Sequence, residues 1–247
     1  MNPAGLALLL VAAFPLHPFA HQVLDDGRDL ATAPLRWHGR EWRRFAEGSA
    51  AVAAAFAADN QIVRFVSRQQ TRGLDHYLSG VTHRGGGYGV DLAAVLAVGG
   101  YLRSDDRMMD AGVDALESSI AAAGVVTPVI KLAVGRARPI HDLGKHSFHP
   151  ANSSFESFPS GHATNAFAIA SAIATRYDDS PVVPSIAYGL ATSVAVARVH
   201  GRVHFASDVL AGAMIGRAIG KSIVWNHRRA RVAFMPTLQG LSARAEF

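Results

Sequence analysis

Three short clusters of phosphate-binding residue types restrict the fold more than any other feature of the sequence. The first runs from Lys131 to Pro139, the second is Pro159-Ser160-Gly161-His162, and the third runs from Arg198 to Asp208. Together they offer cations, a glycine turn before a predicted helix, histidines and a carboxylate. That set can bind a phosphoryl group and transfer it without a metal ion. A chain that uses it must fold so that three separate segments meet at one point.

The first cluster carries two cations at helical spacing. Lys131 and Arg138 are seven residues apart, so on a continuous helix they would share a face and converge on one anion. Arginine offers a planar fork for two phosphate oxygens, and lysine a mobile point charge. Pro139 then marks the end of the helix. Taken alone, the same pattern also fits a solvated basic face.

The second cluster has the features of an anion-binding helix start. Ser160 is a good N-cap for the predicted helix that follows, and a helix N-terminus presents free N–H groups and partial positive charge. Gly161 permits close backbone approach to the anion. His162 would then lie within reach of the leaving oxygen of a phosphate ester. The alternative is an ordinary cap followed by an incidental histidine.

The third cluster supplies another cation and a histidine–carboxylate pair. Arg198 is a further candidate phosphate ligand, and His204 and Asp208 are spaced i, i+4. Asp208 is expected to accept a hydrogen bond from one ring nitrogen of His204, leaving the other nitrogen as a nucleophile. A surface pair is one alternative. A metal site is another, since His200, His204 and Asp208 are spaced i, i+4, i+8, although Gly201 disfavours a continuous helix there.

The three motifs, in this order and at this separation, resemble those of the type 2 phosphatidic acid phosphatase (PAP2) superfamily. That superfamily includes bacterial class A acid phosphatases and vanadium haloperoxidases. Its pattern is Lys-x6-Arg-Pro, then Pro-Ser-Gly-His, then Ser-Arg-x5-His-x3-Asp, and the match covers residues 131–208. One position departs, because Ala197 stands where the pattern has Ser. If that Ser only supports the site, activity survives; if it binds phosphate, affinity falls.

The resemblance implies a role for each matching residue. It assigns phosphate binding and stabilisation of transition-state charge to five positions: Lys131, Arg138, Ser160, Gly161 and Arg198. His204 would attack phosphorus to form a phosphohistidine, and Asp208 would orient it. His162 would protonate the leaving alcohol and then activate water. The resemblance also implies an all-α helical bundle of the PAP2/haloperoxidase type, with the active site at helix ends and with no metal or other cofactor.

Composition and periodicity favour the same fold class. Apolar residues make up 49% of the 247 residues, and much of that content is alanine, which favours closely packed helices. An irregular segment is expected over 23–40, a glycine-rich loop over 69–89, a long loop over 139–158 and at most a short strand in the tail. The predicted helices are 41–66, 90–102, 108–138 with a kink at Pro128, 160–177, 185–199 and 204–226.

The N-terminus resembles a secretory leader. Residues 1–20 are almost wholly apolar, with prolines and a small residue before the polar stretch that follows, so we predict a signal peptide there. Residues 21–247 are predicted to form one domain, exported to the periplasm. An uncleaved membrane anchor is the alternative. Charges interrupt the later apolar stretches, so the helix 185–199 is expected to be buried in a soluble bundle, with peripheral membrane contact left open.

Composition and the motifs together lead to a functional expectation. The chain has no cysteine, which excludes disulfides and thiolate chemistry, and its scattered arginines do not form a nucleic-acid-binding stripe. We expect a metal-independent phosphatase that acts on phosphomonoesters or diphosphates, soluble or lipid-linked. Phe148, Phe155 and Phe158 either give a lipid an apolar approach or pack within their loop. The alternatives are a haloperoxidase that binds vanadate and a non-catalytic phosphate- or lipid-binding protein; the leaving group and oligomeric state stay open.

Overall fold

The protein is a helical bundle followed by a short β-hairpin. The computed structural model describes residues 16–69, 72–230, 232–237 and 240–245, so most of the predicted leader lies outside the described residues. The helices are α1 (Leu16–Thr32), α2 (Gly39–Arg68), α3 (Arg72–Arg103), α4 (Asp106–Ser119), α5 (Thr127–Val134), α6 (Gly161–Arg176), α7 (Val182–His200) and α8 (Ala206–Ala230). Strands β1 (Val232–Thr237) and β2 (Gly240–Ala245) pair antiparallel. The expected all-α bundle is confirmed.

Helix α6 lies at the centre of the bundle and packs against α3, α4, α7 and α8. Its core positions are small or β-branched: Ala168 and Ala172 are fully buried, and Ile169 and Ile173 are nearly so. Alanine lets neighbouring helices approach closely while it keeps a high helix propensity. Buried alanines therefore lie where the helices pack closely against one another.

Two glycines on α8 bring its first turns against the start of α6. A Cβ atom added at Gly212 would lie 2.7 Å from the carbonyl oxygen of Ser160, and one at Gly216 would lie 2.1 Å from that of Thr164. No side chain fits at these contacts, so the two backbones touch directly. As a result, the N-termini of α6 and α8, which carry the second and third clusters, lie side by side.

Two segments that were predicted to be irregular are helical. The prediction for 23–40 was wrong because α1 extends to Thr32. Within α1, Asp26 accepts a hydrogen bond of 2.7 Å from Asn226 of α8. The glycine-rich loop over 69–89 was also wrong, since α3 runs through it. Glycine costs about 1 kcal/mol per helical position. Packing of Ala93 and Ala97 in the core of the bundle holds the long helix despite that cost.

The predicted interruption at Pro128 is confirmed, and it takes the form of a π-helical segment. The backbone changes from α to π geometry over Ile120–Val126 and returns to α at Thr127. Proline has no N–H to donate to the preceding turn. Just before it, the Thr127 N–H donates to the carbonyl of Ala122, five residues back, and the Thr127 hydroxyl donates a second hydrogen bond of 2.8 Å to the same oxygen. This wider turn is one wall of the candidate site described below.

Helix α7 is not buried, contrary to expectation. Four of its large apolar side chains are 54–60% exposed: Val182, Ile186, Leu190 and Val196. The stretches Asp106–Val134 and Val182–His200 are both long and apolar enough to cross a membrane. Prolines and hydroxyl residues in the sequence of α7 suggested a core helix, but its neighbours cover only one side of it.

Candidate active site

The fold brings the three sequence clusters together where α5, α6 and α8 meet. The Ser160 N–H donates a hydrogen bond of 3.0 Å to the carbonyl of Asp208, which joins the second cluster to the third. A Cβ at Gly161 would lie 3.8 Å from the Cε atom of Lys131, which places the first cluster beside the second. Segments separated by up to about 80 residues therefore form one site.

Lys131 and Arg138 reach this site by a different route from the predicted one. Helix α5 ends at Val134, because Gly135 adopts a left-handed conformation with φ of 57°. Arg138 therefore lies on extended backbone, and the expectation of a shared helix face was wrong. The Lys131 ammonium donates a hydrogen bond to the carbonyl of Glu156. The positive charges of both side chains nevertheless reach His162, since both lower its pKa.

Ser160 and His162 occupy the start of α6 as predicted. The Ser160 hydroxyl accepts a hydrogen bond of 3.5 Å from Ala163 N–H, which makes it the N-cap. That bond uses the oxygen as acceptor and leaves the hydroxyl hydrogen for an anion. Burial lowers the pKa of His162 to about 4, and the positive charges around it, led by that of Arg198, add to this effect. The free site therefore holds His162 neutral and carries positive charge for an incoming phosphate.

Asp208 orients His204 through an intermediary, not directly as predicted. The Nδ1 atom of His204 lies 2.7 Å from the carbonyl oxygen of Ser157 and 3.9 Å from Asp208 Oδ2, too far for a hydrogen bond. The Ser157 hydroxyl donates a hydrogen bond of 2.5 Å to that same Oδ2. The carboxylate thus fixes Ser157, and Ser157 fixes the ring. Nδ1 must carry the proton, so Nε2 has the free lone pair of a nucleophile.

The ionisation states of this pair follow from their surroundings. Burial lowers the pKa of His204, which keeps the ring neutral in spite of the nearby carboxylate. Burial alone would raise the pKa of Asp208, but the adjacent His204 ring, the charge of Arg136 and the Ser157 hydrogen bond outweigh it and lower that pKa. A neutral imidazole beside a permanent carboxylate is suited to nucleophilic attack.

Sequence reasoning missed Arg136 and Asp59 as well as the serines of this network, Ser157 and Ser207. The Arg136 guanidinium is 1% exposed and bridges two fully buried carboxylates, 2.8 Å from Asp59 Oδ2 and 2.5 Å from Asp208 Oδ1. Ser207 completes the cluster by donating to Asp59 through its backbone N–H and its hydroxyl. Arg136 had a signal, because it lies inside the first cluster. Asp59 had none, because it lies 77 residues earlier in the chain.

Aromatic rings enclose the same guanidinium. The Arg136 carbon Cζ lies 4.1 Å from the ring centre of Phe205 and 4.7 Å from that of Phe56. Such contacts stabilise a desolvated cation. Phe148 stacks on Phe56, and Phe155 stacks on His149 at 4.2 Å, so these two predicted loop aromatics pack within the protein.

Arg198 presents an unsatisfied donor at the site. Its Nε atom is buried and has no hydrogen-bond partner within the portion of the chain that the structure describes. A buried donor without a partner is costly, and native proteins rarely keep one without a reason. An anion bound beside His162, whose pKa is sensitive to the charge of Arg198, would supply the missing acceptor.

A cavity of about 510 Å³ opens at the site. Lys131, Gly161 and His162 line its polar part, and the π-helical segment and α5 form the opposite wall. Large apolar side chains continue outward along that wall: Val125, Val129 and Leu132 are 57%, 64% and 53% exposed. An apolar route to the phosphate ligands thus exists, on a helix face and not on the predicted aromatic loop.

The alternative metal site in the third cluster does not form. Helix α7 ends at His200 and the chain turns before α8, so His200, His204 and Asp208 do not share a helix face. Over the described ranges, the trio of histidine and carboxylate donor atoms that gathers within 4.8 Å lies elsewhere, at Asp26, Glu117 and His227.

Comparison with known proteins identifies phosphatases that are similar to this chain. A family model for the PAP2 superfamily matches residues 115–231. The chain is 38% identical over 105 residues to a lipid A 1-phosphatase of Rhizobium johnstonii, covering 40% of the chain and 41% of the relative. It is 37% identical over 108 residues to that of Rhizobium etli, covering 41% and 44%. The chain thus spans less than half the length of these curated relatives.

The fold is also similar to that of a solved membrane protein. The crystal structure of a transmembrane PAP2-type phosphatidylglycerolphosphate phosphatase from Bacillus subtilis superposes with a TM-score of 0.57 at 25% identity. The superposition covers 76% of this chain and 94% of that one. The similarity therefore extends well beyond the three clusters.

Proposed function

Because a model of the PAP2 superfamily matches residues 115–231, we propose that the chain is a PAP2-type phosphatase that hydrolyses phosphate monoesters carried by lipids. The observation that carries this proposal is the cavity, in which cations and a helix N-terminus lie at the end of an apolar wall. A soluble phosphate ester needs no such wall, whereas a lipid needs one to bring its headgroup to the cations. The relatives are named for lipid substrates, which supports the same substrate class.

Binding of the phosphate follows from charge and from open donors. Lys131, Arg138 and Arg198 offset the negative charge of a phosphate dianion, and Arg198 Nε gains an acceptor. The first N–H groups of α6 point at the same anion. Since these donors are fixed before the substrate arrives, they also stabilise the charge that develops on the oxygens during transfer. No metal ion is required for this step.

Transfer then proceeds in two displacements at phosphorus. Nε2 of His204 attacks, a nitrogen–phosphorus bond forms, and the bond from phosphorus to the lipid oxygen breaks as His162 gives that oxygen a proton. The carbonyl of Ser157 holds Nδ1–H and stabilises the positive ring. In the second step His162 removes a proton from water, which attacks phosphorus and releases inorganic phosphate and His204.

His162 must be protonated for the first displacement, although its pKa is about 4 in the free site. A bound phosphate dianion reverses the sign of the local field, because it neutralises the cations that lower this pKa. The pKa of His162 therefore rises on substrate binding, and the group becomes an acid only when there is a leaving oxygen to protonate.

The site is proposed to face the periplasm, with the two long apolar stretches crossing the inner membrane. The apolar exposed faces of these helices and the predicted leader support this arrangement. Because the chain has no cysteine, a single cysteine substitution shows by its labelling on which side of the membrane that position lies. We expect Ser154→Cys, in the loop beside the cavity, to react with an impermeant maleimide in intact cells. Ser104→Cys lies just before α4, at the other end of the apolar stretch Asp106–Val134 from the cavity, and should react only after lysis. The reverse pattern would contradict the proposal.

The activity is tested by phosphate release from a lipid phosphate in mixed micelles, with an aryl phosphate and a lipid diphosphate in parallel. The assay contains EDTA and is run well below the unfolding temperature measured in the same chelator. We expect chelator-resistant release that His204→Ala abolishes and that the exposed control His141→Ala retains. Rapid acid-free quenching should trap phosphate on His204.

The other outcomes identify the alternatives. Bromide oxidation by peroxide in the presence of vanadate, without phosphate release, would favour the haloperoxidase. Binding of lipid phosphate without turnover of any ester would favour a non-catalytic protein. Equal release by wild type and His204→Ala would contradict the phosphohistidine mechanism.

A further inference from the structure

A second buried polar cluster lies where α1, α4 and α8 meet, and the proposed phosphatase chemistry does not use it. Nε2 of His227 lies 2.9 Å from Asp26 Oδ2 and 3.4 Å from Glu117 Oε2. Asp26 is 6% exposed and Glu117 is fully buried. His227 is 19 residues beyond Asp208 on the same helix, which corresponds to about 28 Å along its axis. The cluster is thus separate from the phosphate site.

Glu117 is the member of this cluster that lacks hydrogen bonds. Its side chain is 1% exposed, and neither carboxylate oxygen accepts a hydrogen bond from any of the described residues. Glu117 has the 3.4 Å ion pair with His227 but no hydrogen bond, and a buried carboxylate that lacks hydrogen bonds is costly, with a second carboxylate beside it adding repulsion. The cluster therefore calls for a positive charge between Glu117 and Asp26.

The surrounding residues prepare His227 to bind such a charge through Nε2. Its Nδ1 atom lies 2.6 Å from Asp114 Oδ1, and Arg176 donates a hydrogen bond of 2.5 Å to the other oxygen of Asp114. A histidine that binds a metal through one nitrogen commonly donates its other N–H to a carboxylate in this way. Asn226 fixes Asp26 by donating to its Oδ1 at 2.7 Å.

We propose that Asp26, Glu117 and His227 bind a divalent transition-metal ion, with Zn²⁺ as the best fit. One nitrogen and two carboxylate oxygens are ligands that Zn²⁺ accepts, at about 2.0–2.2 Å each. Donors at that distance around a tetrahedral ion lie about 3.3 Å from one another, close to the observed 2.9 and 3.4 Å. The charges also balance, since the ion offsets Asp26 and Glu117 while Arg176 offsets Asp114.

The ion would fasten α1 to the rest of the bundle. Asp26 comes from α1, Glu117 from α4 and His227 from α8, so one ion connects three helices. The competing state has no metal and a proton on both Glu117 and His227. The two states make opposite predictions for zinc content.

The test uses the full chain, purified in detergent without a polyhistidine tag, stripped with chelator and dialysed against Zn²⁺. Elemental analysis should find one zinc per chain, and thermal unfolding should shift upward with added Zn²⁺. Glu117→Gln, which keeps the size of the side chain, should lose the zinc and its effect on the unfolding temperature. The control Asp178→Asn, an exposed carboxylate paired with Arg228, should retain both.

Zinc content no higher in wild type than in Glu117→Gln would overturn the proposal. If that variant does not fold, Co²⁺ gives a second measurement on the wild-type chain: visible absorption that Zn²⁺ displaces supports the site, and its absence contradicts it. Neither readout involves phosphate release, so the outcome is independent of the proposed function.

Discussion

Removal of Arg136 should cost more stability than any other single cation in the described structure. Its guanidinium bridges Asp59 and Asp208, and all three side chains are at most 1% exposed. Arg136→Leu leaves two buried carboxylates without their cation. Breaking one buried pair costs about 3–5 kcal/mol. Because both pairs share one arginine and Ser207 still donates to Asp59, we expect a loss within that range and not twice that amount.

The unfolding temperature gives the assay. For a chain of this size, 1 kcal/mol corresponds to about 2–4 °C, so Arg136→Leu should lower the midpoint by about 6–20 °C. Arg43→Leu is the matched control, because Arg43 and Glu47 form an exposed i, i+4 pair with side chains that are 71% and 68% exposed. Such pairs contribute about 0.3–0.5 kcal/mol. The control should therefore shift the midpoint by less than 2 °C.

A second substitution separates charge from packing. If unpaired charge is the main cost, adding Asp59→Asn to Arg136→Leu removes one uncompensated carboxylate and should recover part of the lost stability. Asp59→Asn alone should destabilise the protein, because it weakens the contacts with Arg136 and Ser207. If the double variant is less stable than Arg136→Leu, or if Arg136→Leu matches its surface control, the reasoning from buried charge is refuted.

Four further predictions concern the site and the helix contact beside it. Ser157→Ala removes a hydrogen bond to a charged group worth about 1.5–3 kcal/mol, so kcat should fall about 10- to 100-fold with little change in KM; steady-state kinetics on a lipid phosphate would show it. Binding of vanadate should raise the pKa of His162 from about 4, as followed by NMR. Since this pKa lies below the 6.5 that is usual for histidine, the stability that His162 contributes is present above pH 6.5 and is lost as the pH falls towards 4. His162→Ala should therefore flatten that part of the stability curve. Gly216→Ala should lower the free energy of unfolding by about 1–3 kcal/mol or more, because its Cβ meets backbone at 2.1 Å, whereas Gly189→Ala, with open space around it, should not.

The sequence predicted the parts of this protein that depend on local rules. The N-cap at Ser160, the interruption at Pro128 and the all-α class follow from hydrogen bonding and propensity within a few residues. Predictions failed where tertiary contacts override propensity. Helix α3 passes through three consecutive glycines, and α7 exposes the apolar face that the sequence suggested was buried. Neither outcome can be read from local periodicity.

Prediction of the candidate site from the sequence was limited in the same way, because tertiary contacts determine which side chains support it. The residues that are proposed to bind phosphate lie in motifs, so the sequence identifies them as candidates. The residues that hold them lie outside the motifs: Ser157 stands between His204 and Asp208, and Asp59 comes from a distant helix. An i, i+4 spacing predicted direct contact between His204 and Asp208, but the turn before α8 separates them to 3.9 Å.

The position of the active site at helix ends follows from how its charges are satisfied. Lys131, Arg138 and Arg198 repel one another, and none of the three forms an ion pair with a buried carboxylate among the described residues. The buried carboxylates of Asp59 and Asp208 are instead paired with Arg136, whose guanidinium lies against the rings of Phe56 and Phe205. The structure thus separates Arg136, whose charge is neutralised, from Lys131, Arg138 and Arg198. At the cavity the exposed Glu156 offsets part of the charge of Lys131, and the remaining positive charge is available to an anion. A dianionic phosphate is the group that completes this arrangement, which is why removal of Arg136 should disrupt the nucleophile while removal of Arg198 should weaken phosphate binding.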